Sequence, residues 1–219
     1  MTDMVHKAGF YEKYVKRLLD VLISGLTLLI LSPLMTVLTI VGTVVMKGNP
    51  FFVQSRPGKN EKIFKLIKFR TMTDSRDGSG NLLPDGQRLN GYGRFLRSTS
   101  LDELPELINI FIGQMSVVGP RPLLEEYIPY YTEEERHRHD VLPGLTGLAQ
   151  ANGRNCISWE QKFAYDLEYV SKISFGMDMS IVARTFKKVI THDGVVADTD
   201  MAEGNLAKIR SLEENAGDN

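Results

Sequence analysis

Two adjacent acids, Asp102 and Glu103, lie inside the segment RSTSLDELPELINIF, residues 97–111. Leu104, Leu107, Ile108 and Phe111 recur at helical spacing. Ser100 and Glu103 fit the S-x-x-E capping box. Pro105 suits a helix beginning slightly later, nearer Asp102, because proline prefers the first turn. In either register both carboxylates sit at a helix N-terminus, beside the positive end of the dipole. Acids at such positions are commonly caps. An ionised carboxylate there can also attack phosphorus and form an aspartyl-phosphate type intermediate, or hold Mg²⁺, a hard ion that takes carboxylate and phosphate oxygens. Adjacent residues on a helix point about 100° apart, so one site can give the two acids different roles.

Fixed cations surround this pair in sequence. As a strand, Ile63–Thr71 puts Lys68 and Arg70 on one face and Lys65 on the other. Arg97 lies just upstream, Arg121 is held between Pro120 and Pro122, and Arg154 sits in the polar loop 152–155. Arginine suits bidentate phosphate contacts and lysine point-charge ones. Each alone reads equally as a surface charge, or as a contact to anionic lipid heads. His137-Arg-His139-Asp140 has metal-like spacing, but with four histidines in the chain and no thiolate nearby it is read as an ordinary polar segment. Trp159 and Phe163, at helical spacing, read as packing.

The elements that must position these groups are short. Phe51–Val53 and Ile63–Phe69 read as strands split by the turn signal Pro57-Gly-Lys-Asn60. Asp74–Gln87 is loop by composition, and Gly91–Ser100 leads into a helix over Asp102–Gly113. Val118–Pro122 reads as a rigid turn, Glu125–His139 as helical with a start at Thr132, and Pro143–Gly147 as a loop. Ser158–Lys172 and Met177–Ile190 read as helices. The second sets Met179, Val182, Phe186, Val189 and Ile190 opposite Arg184, Lys187 and Lys188. Such a helix either lies in a bilayer interface or packs on a core with one solvated face.

The run from Val21 to Met46 carries no charge. As a straight helix its 26 residues would span about 39 Å, against a hydrocarbon core of about 30 Å. It is too long for a signal-peptide core. Ser32-Pro33 breaks its middle: proline removes a helical hydrogen bond and clashes with the carbonyl of Leu29, at about 3 kcal/mol. The Ser32 hydroxyl could bond a carbonyl one turn back. Lys13, Lys16 and Arg17 precede the run, and a basic stretch, Lys47–Arg70, follows it. The positive-inside tendency places both flanks on the cytoplasmic side, which favours a re-entrant hairpin over a proline-kinked span.

With 219 residues and a net charge of −1, the chain outside this run suffices for one domain with a core. One cysteine excludes an internal disulfide and a thiolate zinc cage. The expected organisation is α+β: residues 1–46 as an N-terminal segment with a re-entrant membrane helix kinked at Ser32-Pro33, residues 47–190 as a small helix-rich catalytic domain with interfacial amphipathic helices, and residues 191–219 as an acidic, poorly ordered tail.

FFVQSRPGKNEKIFKLIKFRTM (51–72), RSTSLDELPELINIFIGQMSVVGPRPL (97–123) and LPGLTGLAQANGRN (142–155) together resemble the bacterial sugar transferases, and more narrowly the small monotopic phosphoglycosyl transferases. The likeness runs from about Lys13 to Ile190, and the chain looks like the minimal catalytic unit, without the additional N-terminal membrane domain of larger members. The resemblance implies a re-entrant helix broken at Ser32-Pro33 and a catalytic dyad at Asp102-Glu103. Asp102 would attack the β-phosphate of a UDP-sugar, expel UMP and carry the phospho-sugar until a polyprenyl (undecaprenyl) phosphate accepts it. Glu103 would orient metal and acceptor or manage the acceptor's proton, with Mg²⁺ near Asp102. Lys68, Arg97, Arg121, Arg154 and Asp166 match positions used around substrate, Arg97 and Arg121 for phosphate and Arg154 for the nucleotide. The likeness is strongest to transferases of UDP-N,N′-diacetylbacillosamine in protein glycosylation. It implies the cytoplasmic face of the inner membrane, downstream glycosyltransferases as partners, and no nucleic acid. Two other classes stay open on the residues alone: a non-catalytic membrane-surface scaffold and a metal-dependent lipid-phosphate phosphohydrolase.

Overall fold

The apolar run folds as one long helix, α1 (Arg17–Val45), led by a π-helical stretch, Tyr11–Lys16. The structure, a computed structural model, describes residues 6–153, 157–191 and 205–217. Tyr11–Val45 is long and apolar enough to cross a membrane. At Pro33 the helix continues, and Ser32 Oγ donates to the Leu29 carbonyl at 2.8 Å, so the group orphaned by proline regains a partner. Thr36, Thr39 and Thr43 likewise donate to carbonyls one turn back. Internal satisfaction of this kind is what hydrocarbon demands of polar groups.

One stripe of α1, Asp20, Ser24, Leu38 and Gly42, is buried, while Leu22, Leu26, Leu29, Ile30, Val37, Ile40 and Val44 are exposed. The stripe is what helical periodicity places on one side. The exposed apolar face is far larger than a soluble protein needs.

A hairpin follows. β1 (Phe51–Pro57) and β2 (Ile63–Phe69) pair antiparallel from Phe51↔Phe69 to Pro57↔Ile63. Phe64 and Leu66 point inward from β2, and period-two alternation puts Lys68 on the same face. The loop after β2 is largely irregular, as its composition predicts, with a short helix, α2 (Asp85–Arg88), near its end. Then come α3 (Gly91–Thr99) and α4 (Glu106–Phe111). Phe64, Leu66, Leu107, Ile110 and Met115 form a core on which Leu28 of α1 rests.

Pro143–Gly147, expected to be loop, contains a strand. β3 (Ser116–Val118) pairs in parallel with β4 (Gly144–Thr146), a pairing between segments too far apart for local sequence to signal. The helix expected over Glu125–His139 is divided into 3-10 turns at Glu125–Tyr130 and His137–His139 around α5 (Glu133–Arg136). Pro129 interrupts the first part, and Thr132 and Glu135 form the capping box that starts the second. Short α6 (Leu148–Asn152) precedes α7 (Trp159–Ser171) and α8 (Phe175–Thr191). On α8, Ile181 is fully buried with Val118, Leu148 and Tyr169, and Phe175 and Phe186 are exposed. Trp159 and Phe163 stack in an aromatic cluster with Tyr127 and Tyr131. The tail departs from the expected disorder over α9 (Leu206–Gly217): Leu206 is buried in that cluster, and Arg210 forks onto Glu135 at 2.6 Å. A few apolar anchors and one bidentate ion pair seat a helix that composition alone marks as too polar to fold.

Candidate active site

The site is assembled where α3 stops and α4 begins. Asn90 caps α3 by accepting from Gly93 N–H. Gly93 lets the helix press on the exit of β2, since a Cβ there would fall 1.9 Å from the Thr71 carbonyl oxygen. That approach allows Arg97 Nε to donate to Thr71 Oγ1 at 3.1 Å. α3 ends at Ser100, which is left-handed with φ +56°, a conformation costing a non-glycine residue about 1 kcal/mol. The chain then reverses into a 3-10 turn, Leu101–Glu103, and Pro105 occupies the position just before α4.

This differs from the expected helix over Asp102–Gly113. The capping box at Ser100 is not formed: its side chain makes no cap bond, and Glu103 N–H goes to the Ser100 carbonyl at 3.3 Å. The left-handed backbone of Ser100 takes its hydroxyl away from the N3 position. Because a 3-10 turn has three residues per turn, adjacent side chains diverge by about 120°. Asp102 and Glu103 therefore meet different surroundings.

Glu103 is clamped. Lys68 Nζ lies 2.9 Å and Arg121 Nη2 2.6 Å from its Oε1. Burial opposes its charge, but Arg121 and Lys68 outweigh it and hold the carboxyl far below the usual range. Lys68 also lies 3.0 Å from Oε1 of Glu106, a residue only 2% exposed. That contact is off the hydrogen-bonding axis, so Oε1 stays without an aligned donor. Burial raises the Glu106 carboxyl. Asp102, by contrast, has no hydrogen-bond donor among the described residues. Burial and then the neighbouring Glu103 raise it to about 6, against the pull of Lys68, Arg121 and Arg97. One acid is fixed as an anion by two cations, while the other is left open with its pKa raised to about 6.

Arg121 owes its place to backbone-on-backbone packing. Gly119 N–H donates to Thr146 O, and Gly144 N–H donates to Pro120 O, both at 2.9 Å. A Cβ on Gly144 would come within 2.1 Å of Gly119 N, and one on Gly147 within 2.3 Å of Gly119 O. Behind this junction Arg138 donates to the Arg121 carbonyl at 2.7 Å and to Asp166 Oδ2 at 2.7 Å. Asp166 is buried at 3% exposure and faces Arg138. The structure thus brings Lys68, Arg97, Asp102, Glu103 and Arg121 together and sets Asp166 one layer behind them. Arg154 lies outside the described residues.

Glu106 and Arg138 belong to this site, and sequence reading passed over both. Glu106 resembled an ordinary helical acid, although it stands beside Leu107 in a helix whose Asn109 is also buried. Asn109 accepts from Ile67 N–H and donates to Lys65 O, which locks α4 to the edge of β2. Arg138 was hidden in the histidine pattern. There, His137 Nδ1 meets Asp140 at 2.9 Å and His139 Nδ1 meets Gly58 O at 3.2 Å, so the two rings serve separate partners. Among the described residues no three potential metal ligands gather. The open oxygens of Asp102 nevertheless match a Mg²⁺ site of the kind completed by substrate phosphates and water.

Residues 11–192 match the family model described as bacterial sugar transferase. The chain is 50% identical over 182 residues to the uncharacterized sugar transferase EpsL of Bacillus subtilis, covering 83% of this chain and 90% of that one. It is 38% identical over 198 residues to the exopolysaccharide production protein ExoY of Sinorhizobium fredii, covering 82% and 87%. It is 39% identical over 183 residues to the UDP-glucose:undecaprenyl-phosphate glucose-1-phosphate transferase of Klebsiella pneumoniae, covering 79% of this chain and 39% of that one. With residues 11–192 matched, the chain belongs to the bacterial sugar transferase family and is a phosphoglycosyl transferase.

Proposed function

We propose that the protein moves a sugar 1-phosphate from a UDP-sugar onto undecaprenyl phosphate, through a covalent intermediate on Asp102. The observation that carries this is the division of labour in the dyad. Glu103 is tied to Lys68 and Arg121, whereas the Asp102 carboxylate is unclaimed and lies among Lys68, Arg97 and Arg121. Asp102 attacks the β-phosphorus, the bond from that phosphorus to the bridging oxygen breaks, and UMP leaves with the electron pair. A phosphate oxygen of the acceptor then attacks the same phosphorus, and the bond from that phosphorus to the Asp102 oxygen breaks, returning the electron pair to the carboxylate. Both steps develop negative charge on phosphoryl oxygens, which the fixed cations stabilise without reorganising. Glu103 acts mainly by holding Lys68 and Arg121 in position. Mg²⁺ held by Asp102 and substrate phosphates would neutralise charge on the diphosphate.

The membrane arrangement we favour is a re-entrant hairpin entering and leaving by the cytoplasmic face of the inner membrane. The globular part holds α1 near both ends: Asp20 accepts from Val117 N–H at 2.9 Å, and Leu38 O accepts from Tyr92 at 2.8 Å with Gly42 against Pro50. Asp20 and Gly42 are 22 residues apart, about 33 Å of straight helix, or more than a hydrocarbon core. A domain in contact with both is hard to reconcile with ends on opposite faces. The exposed Phe175, Met179 and Phe186 of α8 suit an interfacial position.

For the donor we propose UDP-N,N′-diacetylbacillosamine or a related N-acetylated sugar, with UDP-hexoses as the competing choice suggested by relatives named for glucose 1-phosphate. The test is a set of UDP-sugars with undecaprenyl phosphate and Mg²⁺, scored for UMP and for extractable lipid-linked sugar. Asp102→Asn should abolish both while remaining folded, and withholding acceptor should leave a phospho-sugar mass on Asp102. Product at full yield from Asp102→Asn refutes the nucleophile. Free phosphate or sugar phosphate without lipid-linked sugar indicates a phosphohydrolase.

A further inference from the structure

The proposed reaction uses Lys68, Arg97 and Arg121 and leaves a fourth cation without a task. Arg56 lies on β1 opposite Phe64, on the face of the ribbon that also carries Lys68. Its guanidinium is within electrostatic range of Arg121, Glu106, Tyr127 and Tyr131. Lys68 is shared between Glu103 and Glu106, and Arg121 is taken by Glu103. Arg56 has no such partner. Nη2 donates to the neutral Gln54 Oε1 at 2.8 Å, Nε is buried without an acceptor, and among the described residues no carboxylate pairs with it. The nearby Tyr131 hydroxyl is also buried, with Arg138 within reach but no aligned hydrogen bond formed. Burial and then Arg121 lower Arg56 to about 10, so it remains a cation at neutral pH.

A half-buried guanidinium within electrostatic reach of another, with an N–H left unmade, is a standing cost in the free protein. An anion with several oxygens that reaches both would remove it, and the planar donor fork of arginine matches phosphate. The geometry points to Arg56 as a phosphate-binding residue of the transfer reaction, acting with Arg121 and the Tyr131 hydroxyl on a phosphate of one of the two substrates. This rests on the reading of the Asp102 site as a transferase centre and extends it to a strand that the reading does not otherwise use. The nucleotide donor and the polyprenyl acceptor offer the same oxygens, so the experiment separates them.

Binding of UDP and of undecaprenyl phosphate is measured on the full chain in lipid nanodiscs, for wild type, Arg56→Gln and Arg56→Lys. Loss of a charge-assisted contact should raise Kd about 10- to 100-fold in Arg56→Gln, with Arg56→Lys between it and wild type. A rise for UDP alone assigns the donor phosphate, a rise for undecaprenyl phosphate alone assigns the acceptor, and a rise for both assigns a position that the two occupy in turn. Without ligand, Arg56→Gln should melt no lower than wild type, because an uncompensated charge has been removed. A structural role would lower its Tm. Unchanged Kd for both probes in folded Arg56→Gln overturns the assignment, as does a Kd rise that follows a fallen Tm in both variants. Failure of the Asp102 reading would show separately, as UMP release by Asp102→Asn with probe binding still sensitive to Arg56.

Discussion

At the scale of single residues, the site works by making neighbours unlike. Asp102 and Glu103 share a turn and a charge, yet one is held ionised and the other rises to about 6. If Asp102 is the nucleophile we propose, activity in the half-reaction, read as UMP release without acceptor, should climb with pH through about 6 and flatten above it, because only the ionised carboxylate attacks. Stability follows the opposite sign. An unfolded aspartate titrates near 3.9, and the folded value is higher. The folded state thus holds this proton more tightly, so the contribution is complete below about pH 4 and lost as pH rises through about 6. Asp102→Asn escapes that loss, and its Tm advantage over wild type should grow between pH 5 and pH 7, as thermal melts can check. Lys68→Met should be severe for a different reason. It strips the buried Glu106 of its counter-charge, which typically costs about 3–5 kcal/mol, and Lys68→Met with Glu106→Gln should recover much of that in denaturant titrations.

At the scale of elements, the parts that carry function are short and are fixed by close approach rather than by propensity. The β3–β4 pair spans three residues on each side and relies on bare backbone at Gly119, Gly144 and Gly147. Gly144→Ala should push the Arg121 junction apart, costing about 1–3 kcal/mol as overpacking does, and should reduce UMP release beyond what lower stability explains. Purified enzyme compared at equal folded fraction provides the check. Local sequence reads such segments poorly because neither propensity nor periodicity accumulates over three residues. Conversely, β2, α7 and the helix start at Thr132 were legible, since each has a sustained pattern or an N-cap residue type. Ser32 was legible in the same way: the residue that can repay the carbonyl freed by proline is adjacent to it, and it does so.

At the scale of the whole molecule, α1 is part of the catalytic fold as well as an apolar segment. Arg17 and Gly25 meet α4, and Asp20 of the buried stripe meets β3, the elements on either side of the site. Cysteines placed near Lys7 and near Lys59 should label from the same side of sealed vesicles, and labelling from opposite sides would make the segment a true span. α9 offers a second test of integration. Arg210→Ala removes the fork on Glu135 and the bond to Tyr130 O, and should loosen the 125–139 segment that carries Arg138, lowering Tm by a few degrees in thermal melts.

The sequence by itself determined the membrane-length apolar helix, the two strands with Lys68 and Lys65 on opposite faces, the adjacent acids Asp102 and Glu103 and the family motifs. Each is written in adjacent residues or in a short period. Only the tertiary structure decided which acid stays free, because that depends on where Lys68 and Arg121 arrive from β2 and from the β3–β4 junction. It also decided that Asp166 serves Arg138 and that Glu106 and Arg56 both come within electrostatic reach of Arg121. Charge compensation is set by distances across the fold, and no local pattern of residues encodes those distances.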